Sequence, residues 1–85
     1  MQISLQKSDF DLLNRYLEDE HQFFQANWKN DHEVLLFFKD EECALVFDEF
    51  IKDQLLYRGF NADYEPNQYG RMCERIVDKM FAILK

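Results

Sequence analysis

The longest uninterrupted run of large apolar side chains is VLLFF, from Val34 to Phe38. Charged and polar residues border it on both sides, at 31–33 and at 39–42. Successive side chains of a strand point to opposite faces, so five apolar residues in a row cannot share one face. The run therefore predicts a strand at the centre of the fold that is buried on both faces.

The start of the chain predicts a strand followed by a helix. Apolar and polar residues alternate over 2–6, which is a strand pattern. Ser8 is followed three residues later by Asp11, which is a capping-box signal for a helix start. From Asp9 to about Glu20, apolar residues recur at helical spacing on one face. That face contains Phe10, Leu13, Tyr16 and Leu17.

Residues 21–29 are compatible with two elements. The first helix can continue through Phe24, but alternation up to Trp28 favours a strand. Asn30-Asp31 then forms a tight two-residue turn, and the chain returns through the central run as a hairpin. This register pairs Lys29 with His32 and Trp28 with Glu33.

The segment after the central run also allows two interpretations. Residues 43–47 can form a further strand, or Asp40 can cap a helix with Glu41 and Glu42 in its first turn, where the helix dipole favours negative charge. We choose the helix, because the apolar residues follow a 3.6-residue period and Gly59 provides a C-terminal stop. The predicted inward face contains Cys43, Phe47, Phe50, Ile51 and Leu55.

A last helix is predicted to run to about Leu84, with Pro66 in its first turn. Gly70 lies inside the apolar pattern, where glycine costs about 1 kcal/mol relative to alanine. It indicates either a late helix start or close contact with another backbone. The predicted inward face contains Tyr69, Met72, Cys73, Ile76, Met80 and Ile83.

The resulting order, β-α-β-β-α-α, predicts an α+β fold with a small three-stranded antiparallel sheet and three helices in a single domain, 1–85. The alternative is an all-α helical bundle. If the helices cover one face of the sheet, the apolar residues on its other face need cover from the last helix or from a second copy of the chain.

Composition narrows the classes of function. The net charge is −7, from 17 acidic and 10 basic residues. Direct nucleic-acid binding depends on clustered lysine and arginine and is therefore not expected. Acidic charge favours solubility and can steer a basic partner. The two cysteines are far apart within apolar helical patterns, which predicts free buried thiols. A polar start without a signal peptide, and no long apolar run, predict no membrane span and a cytoplasmic location.

The sequence contains histidine, serine and carboxylate side chains, but their spacing does not predict a catalytic or metal site. His21 and His32 lie near carboxylates, but the predicted hairpin keeps them apart. Segment 61–67 alternates oxygen ligands without the glycine and glutamate that an EF-hand requires. The serines are Ser4 and Ser8, and Ser8 is assigned to helix capping. There is no glycine-rich phosphate loop. We therefore expect no enzymatic activity, no cofactor and no metal.

The outer side of the 43–58 helix is the predicted partner-binding surface. Exposed leucines among carboxylates provide apolar contact and charge steering. The competing interpretation places this helix between the sheet and the last helix, with both of its sides buried. We hypothesise a non-enzymatic interaction module, an inhibitor or regulator of a basic partner protein, or a homodimer. The predicted partner-binding residues are Glu42, Leu45, Glu49, Asp53 and Leu56.

The alternative function is a small ligand-binding or catalytic domain. Its pocket would lie under the hairpin and beside the 60–66 connector, lined by Phe24, Trp28 and Tyr64, with Asp63 or Glu65 as a polar anchor. No family motif is evident. In size and charge alone, the chain resembles small acidic bacterial proteins of two kinds: toxin-neutralising immunity proteins, and anti-restriction or phage-encoded inhibitors.

Overall fold

A three-stranded antiparallel sheet with β3 in the middle is the centre of the fold. The computed structural model describes residues 1–17, 23–63 and 65–84. The strands are β1 (Gln2–Gln6), β2 (Gln25–Trp28) and β3 (Glu33–Phe37), and the helices are α1 (Lys7–Asn14), α2 (Glu41–Arg58) and α3 (Gln68–Ile83). This order confirms the α+β prediction, including the strand at β1, and the all-α alternative is wrong.

The central strand is buried on one face only. Val34, Leu36 and Phe38 join the same core as the buried residues of the three helices. On the opposite face Leu35 is half-buried and Phe37 is 36% exposed, so the prediction of burial on both faces is wrong. The cause lies in the neighbouring strands, which place polar residues opposite these two side chains. The outer face is therefore the solvated side of an antiparallel sheet.

The hairpin has a different register from the predicted one. Trp28 lies opposite Val34 rather than Glu33. The backbone N–H of Lys29 donates to the carbonyl of Glu33 at 2.9 Å, so Lys29 does not pair with His32. A shift of one residue exchanges the two faces of a strand. Trp28 consequently shares the inner face of the sheet with Val34.

Asn30 explains why the turn is longer than the two residues predicted at Asn30-Asp31. Four residues, 29–32, separate β2 from β3. The side-chain oxygen of Asn30 accepts hydrogen bonds from the backbone N–H groups of His32 at 2.7 Å and Glu33 at 2.9 Å. An asparagine that bonds backbone groups two and three residues ahead stabilises a loop longer than a two-residue turn.

Helix α1 begins two residues earlier than predicted, and the capping box at Ser8 is wrong. The N-cap position is held by Gln6, whose side chain makes no capping hydrogen bond. The backbone N–H of Lys7 instead donates to the carbonyl of His32 at 2.8 Å. The hairpin loop therefore provides the acceptor for the first backbone N–H of the helix, which has no partner within the helix itself. Asp11 forms an ion pair with the Lys7 side chain at 2.9 Å. The helix ends at Asn14, before the predicted end at Glu20.

Two polar contacts join the first elements to α3. Asp9 of α1 is buried, and its carboxylate accepts hydrogen bonds from Nε and Nη2 of Arg75 at 3.0 and 2.6 Å. This two-point bond raises the pKa of Arg75. Lys79 donates from its ammonium group to the backbone carbonyl of Ser4 in β1. The N-terminal strand and helix are thus held by the last helix.

Helix α2 has the predicted ends. The side chain of Asp40 accepts a hydrogen bond from the backbone N–H of Cys43 at 2.9 Å, and this bond lowers the pKa of Asp40. The same carboxylate, through its hydrogen bond with the thiol, raises the pKa of Cys43. Glu41 and Glu42 occupy the first turn, and Gly59 follows the last residue. The predicted inward residues are buried or half-buried.

The backbones of Gly59 and Gly70 meet where α2 ends and α3 begins. Gly59 has a φ of −86°, which any residue adopts, so its importance is steric. A Cβ built on Gly70 would overlap the carbonyl oxygen of Gly59 and lie 2.8 Å from its carbonyl carbon. A Cβ on Gly59 would lie 3.0 Å from Cα of Gly70. The predicted close backbone contact at Gly70 is confirmed.

Asn67 is the N-cap residue directly before α3. Pro66 lies before the helix in an isolated bridge with Phe60, so its predicted place in the first turn is wrong. The side chain of Asn67 accepts from the N–H of Gly70 at 2.8 Å and donates to the carbonyl of Arg58 at 2.9 Å. It thereby caps α3 and ties it to α2. The predicted inward face of α3 is confirmed, with Ile83 half-buried and the others buried.

We expect the substitution Gly70→Ala to destabilise the protein by about 1–3 kcal/mol, because the added methyl group overlaps the Gly59 backbone. At an unobstructed helix position the same change would stabilise by up to about 1 kcal/mol, so the sign is diagnostic. Urea denaturation gives the free energy of unfolding. The control Arg71→Ala, at the adjacent exposed position, should change it by less than about 0.5 kcal/mol. Equal or greater stability of Gly70→Ala would contradict the steric argument.

We expect a double-mutant cycle on Asp9→Asn and Arg75→Met to give a coupling energy of about 1.5–3 kcal/mol, because both hydrogen bonds join charged groups and Asp9 is buried. The matched control is the Lys7–Asp11 pair, in which both side chains are exposed. Its coupling should be about 0.3–0.5 kcal/mol. Equal coupling in the two cycles would show that burial of Asp9 has no energetic effect.

Candidate partner-binding surface

The five residues predicted to bind a partner lie on the solvent side of α2. Leu45 is 47% exposed and Leu56 is 65% exposed. The interpretation in which α2 is buried on both sides is therefore wrong. The three carboxylates at 42, 49 and 53 are exposed as well. We call this surface the acidic–apolar face; it comprises Glu42, Leu45, Glu49, Asp53 and Leu56.

Two further apolar side chains extend the acidic–apolar face, and the sequence analysis missed them. Val46 and Tyr57 are both exposed. Each directly follows one of the two leucines, and they are eleven residues apart, which is three helical turns. That spacing was a usable signal, because it repeats the spacing of Leu45 and Leu56.

A shallow groove between α2 and α3 continues this surface. The helices meet at Gly59 and Gly70, so the end of α3 lies beside the start of α2. The groove has a volume of about 180 Å³. Phe81 of α3 borders it and is 68% exposed. We call it the α2–α3 groove; it is lined by Leu45, Asp48, Lys52, Val77, Phe81 and Leu84.

Asp48 gives the α2–α3 groove a charged group among apolar walls. Asp48 is buried although its side chain is charged. Its carboxylate forms an ion pair with Lys52 at 2.7 Å. Asp48 is four residues before Lys52 in one helix, which is a favourable spacing for such a pair.

A second polar cluster, at the other end of α2, has the character of packed core. The hydroxyl of Tyr69 donates to the side-chain oxygen of Gln54 at 3.1 Å, and burial raises the pKa of Tyr69. Burial also raises the pKa of Cys73 to about 11. A thiol with this pKa is protonated at neutral pH and is a poor nucleophile. Tyr16 packs edge-on against Tyr69 and stacks under Arg58.

The described residues of the predicted ligand pocket lie in different environments and do not line one cavity together. Phe24 borders a cavity of about 390 Å³. The described residues that line it are Phe23, Phe24, Gln25, Phe37, Phe38, Lys39 and Cys43. Trp28 instead packs edge-on against Phe10, with ring centroids 5.6 Å apart. Asp63 and Glu65 are exposed in a turn. Tyr64 lies outside the described residues.

Within residues 1–17, 23–63 and 65–84, no three His, Cys, Asp or Glu side chains are grouped to hold a metal ion. His32 is exposed in the hairpin loop, and His21 lies outside the described residues. Among the helices of the described part, none has the length and apolar character to cross a membrane.

Comparisons of the chain with protein-family models, with curated proteins and with solved structures found no match. The acidic–apolar face and the α2–α3 groove share Leu45, so they form one continuous region.

We expect Leu45→Ser and Leu56→Ser each to lower the free energy of unfolding by less than about 1 kcal/mol, because both side chains are largely exposed and serine only weakens helix propensity. Ile51→Ala is the control in the same helix. It removes a fully buried side chain and should cost about 2–5 kcal/mol. Thermal and urea unfolding provide the measurement. A loss at Leu45 comparable to that at Ile51 would mean that this face is part of the core.

Proposed function

We propose that this protein is a non-enzymatic interaction module that binds a basic protein partner through the acidic–apolar face and the α2–α3 groove. One observation carries the proposal. Leu45, Leu56 and Phe81 remain 47%, 65% and 68% exposed on two helices whose other faces are well packed. Large apolar side chains exposed together and surrounded by charge are typical of interaction sites.

Charge defines the class of partner. The acidic–apolar face carries three carboxylates, and the whole chain has a net charge of −7. A negative surface accelerates the approach of a positive partner and disfavours a negative one. A second copy of this chain is the less favoured occupant, because its own carboxylates would be placed against these.

The shape of the groove indicates how the partner binds. Two antiparallel helices with apolar side chains along their shared groove suit an amphipathic helix, which presents apolar residues at three- and four-residue spacing. The close contact of Gly59 with Gly70 and the cap by Asn67 hold α2 and α3 in place before binding. A preordered groove binds without the entropic cost of ordering its own helices.

Occupancy of a basic surface provides a mechanism for inhibition or regulation. An acidic module bound to such a surface covers its lysine and arginine side chains and excludes other anionic ligands of that partner. We place this activity in the cytoplasm, because the described cysteines Cys43 and Cys73 are free thiols and a reducing compartment keeps thiols in that state.

Selection from a displayed library of random 16-residue peptides tests the proposal. We expect the protein to enrich peptides with net positive charge and apolar residues at i, i+3 or i+4, and i+7. The variant Leu45→Ser/Phe81→Ser should enrich none of them. The variant Glu42→Gln/Glu49→Gln/Asp53→Asn should keep the apolar pattern and enrich peptides of lower net positive charge, because three steering carboxylates are removed.

The matched control for this selection is Leu35→Ser/Phe37→Ser, which alters the apolar pair on the outer face of the sheet. It should enrich the same peptides as the unchanged protein. Circular dichroism establishes that each variant is folded. Enrichment of acidic peptides, or unchanged enrichment by Leu45→Ser/Phe81→Ser, would show that the proposed face is not the binding site.

A further inference from the structure

Asp48 presents a largely buried carboxylate to the α2–α3 groove. Its side chain is 11% exposed within the α2–α3 groove, whereas its partner Lys52 is 57% exposed. Lys52 Nζ contacts Oδ2 of Asp48 at 2.7 Å, whereas Arg75 binds the buried Asp9 through two nitrogens. A one-point ion pair is weaker than a two-point guanidinium–carboxylate bond. A guanidinium from a partner can therefore replace Lys52 at this carboxylate.

The walls around Asp48 favour a flat cation. Leu45 and Phe81 border the same groove, and the Phe81 ring is largely exposed. An aromatic ring face attracts a cation, and a planar guanidinium stacks on it more readily than an ammonium does. A guanidinium can also donate two parallel hydrogen bonds to a carboxylate, which a lysine ammonium cannot do in the same geometry.

We propose that Asp48 is the specificity residue of the α2–α3 groove and receives one arginine side chain of the partner. Lys52 occupies this position in the free protein and moves into solvent when the partner binds. The exchange preserves charge balance, because one cation replaces another at the Asp48 carboxylate. This inference rests on the proposed function, and it adds one fixed arginine to a partner otherwise defined by charge and apolar spacing.

The test uses a peptide enriched in the selection and measures its dissociation constant by fluorescence anisotropy. Replacing its fixed arginine by norleucine should weaken binding to the unchanged protein by about tenfold or more, because Asp48 then loses its partner cation. On Asp48→Asn the same replacement should weaken binding by less than about threefold, since the amide cannot form the ion pair. Replacement of the arginine by lysine should give an intermediate loss.

The second variant, Lys52→Met, removes the internal competitor and keeps an unbranched apolar side chain. We expect it to bind the arginine peptide about threefold more tightly or better, with no gain for the norleucine peptide. If the Asp48–Lys52 pair serves only stability, Lys52→Met should lower the melting temperature and leave the affinity for the arginine peptide unchanged. That result would overturn the inference.

The outcomes separate this inference from the proposed function. If the unchanged protein enriches no peptide, both fail. If peptides bind but the norleucine penalty is the same on Asp48→Asn as on the unchanged protein, the arginine site is excluded and the interaction module stands. Weaker binding of the arginine peptide by Lys52→Met would also overturn the exchange of cations.

Discussion

The structure depends on one close approach of two backbones, that of Gly59 at the end of α2 and Gly70 in the first turn of α3. No side chain separates them, so α3 leaves the junction already in contact with α2. Asn67 fixes this geometry with hydrogen bonds to both sides. The same arrangement directs the buried residues of α3 into the core beside the sheet. It also places the end of α3 against the start of α2. The α2–α3 groove forms between these two segments.

Local patterns were sufficient to predict most of the secondary structure. Alternation located β1, and Asp40 and Gly59 marked the ends of α2 because capping and termination depend on neighbouring backbone groups. The central place of β3 followed from its unbroken apolar run. The exposure of Leu45 and Leu56 was one of two interpretations that the helical period allowed.

The errors arise where a distant group competes with a local signal. Ser8 lost its capping role because the carbonyl of His32 already binds the first backbone N–H of α1. Phe37 faces solvent because the strands on either side present polar residues. Asp48 and Phe81 entered the candidate site only through the packing of α3 against α2. A sequence read one segment at a time contains no signal for contacts of this kind.

The contacts of α3 with Asp9 and Ser4 have a consequence for the order of synthesis. They join positions 66 and 75 residues apart, almost the whole length of the chain. The first strand and helix leave the ribosome early but obtain these partners only after α3 has been made. Contacts between distant positions form late because the intervening chain must first be ordered. The nascent protein therefore carries an unpaired Asp9 and an incomplete core until α3 emerges, and its exposed apolar surface makes it prone to aggregation in that interval.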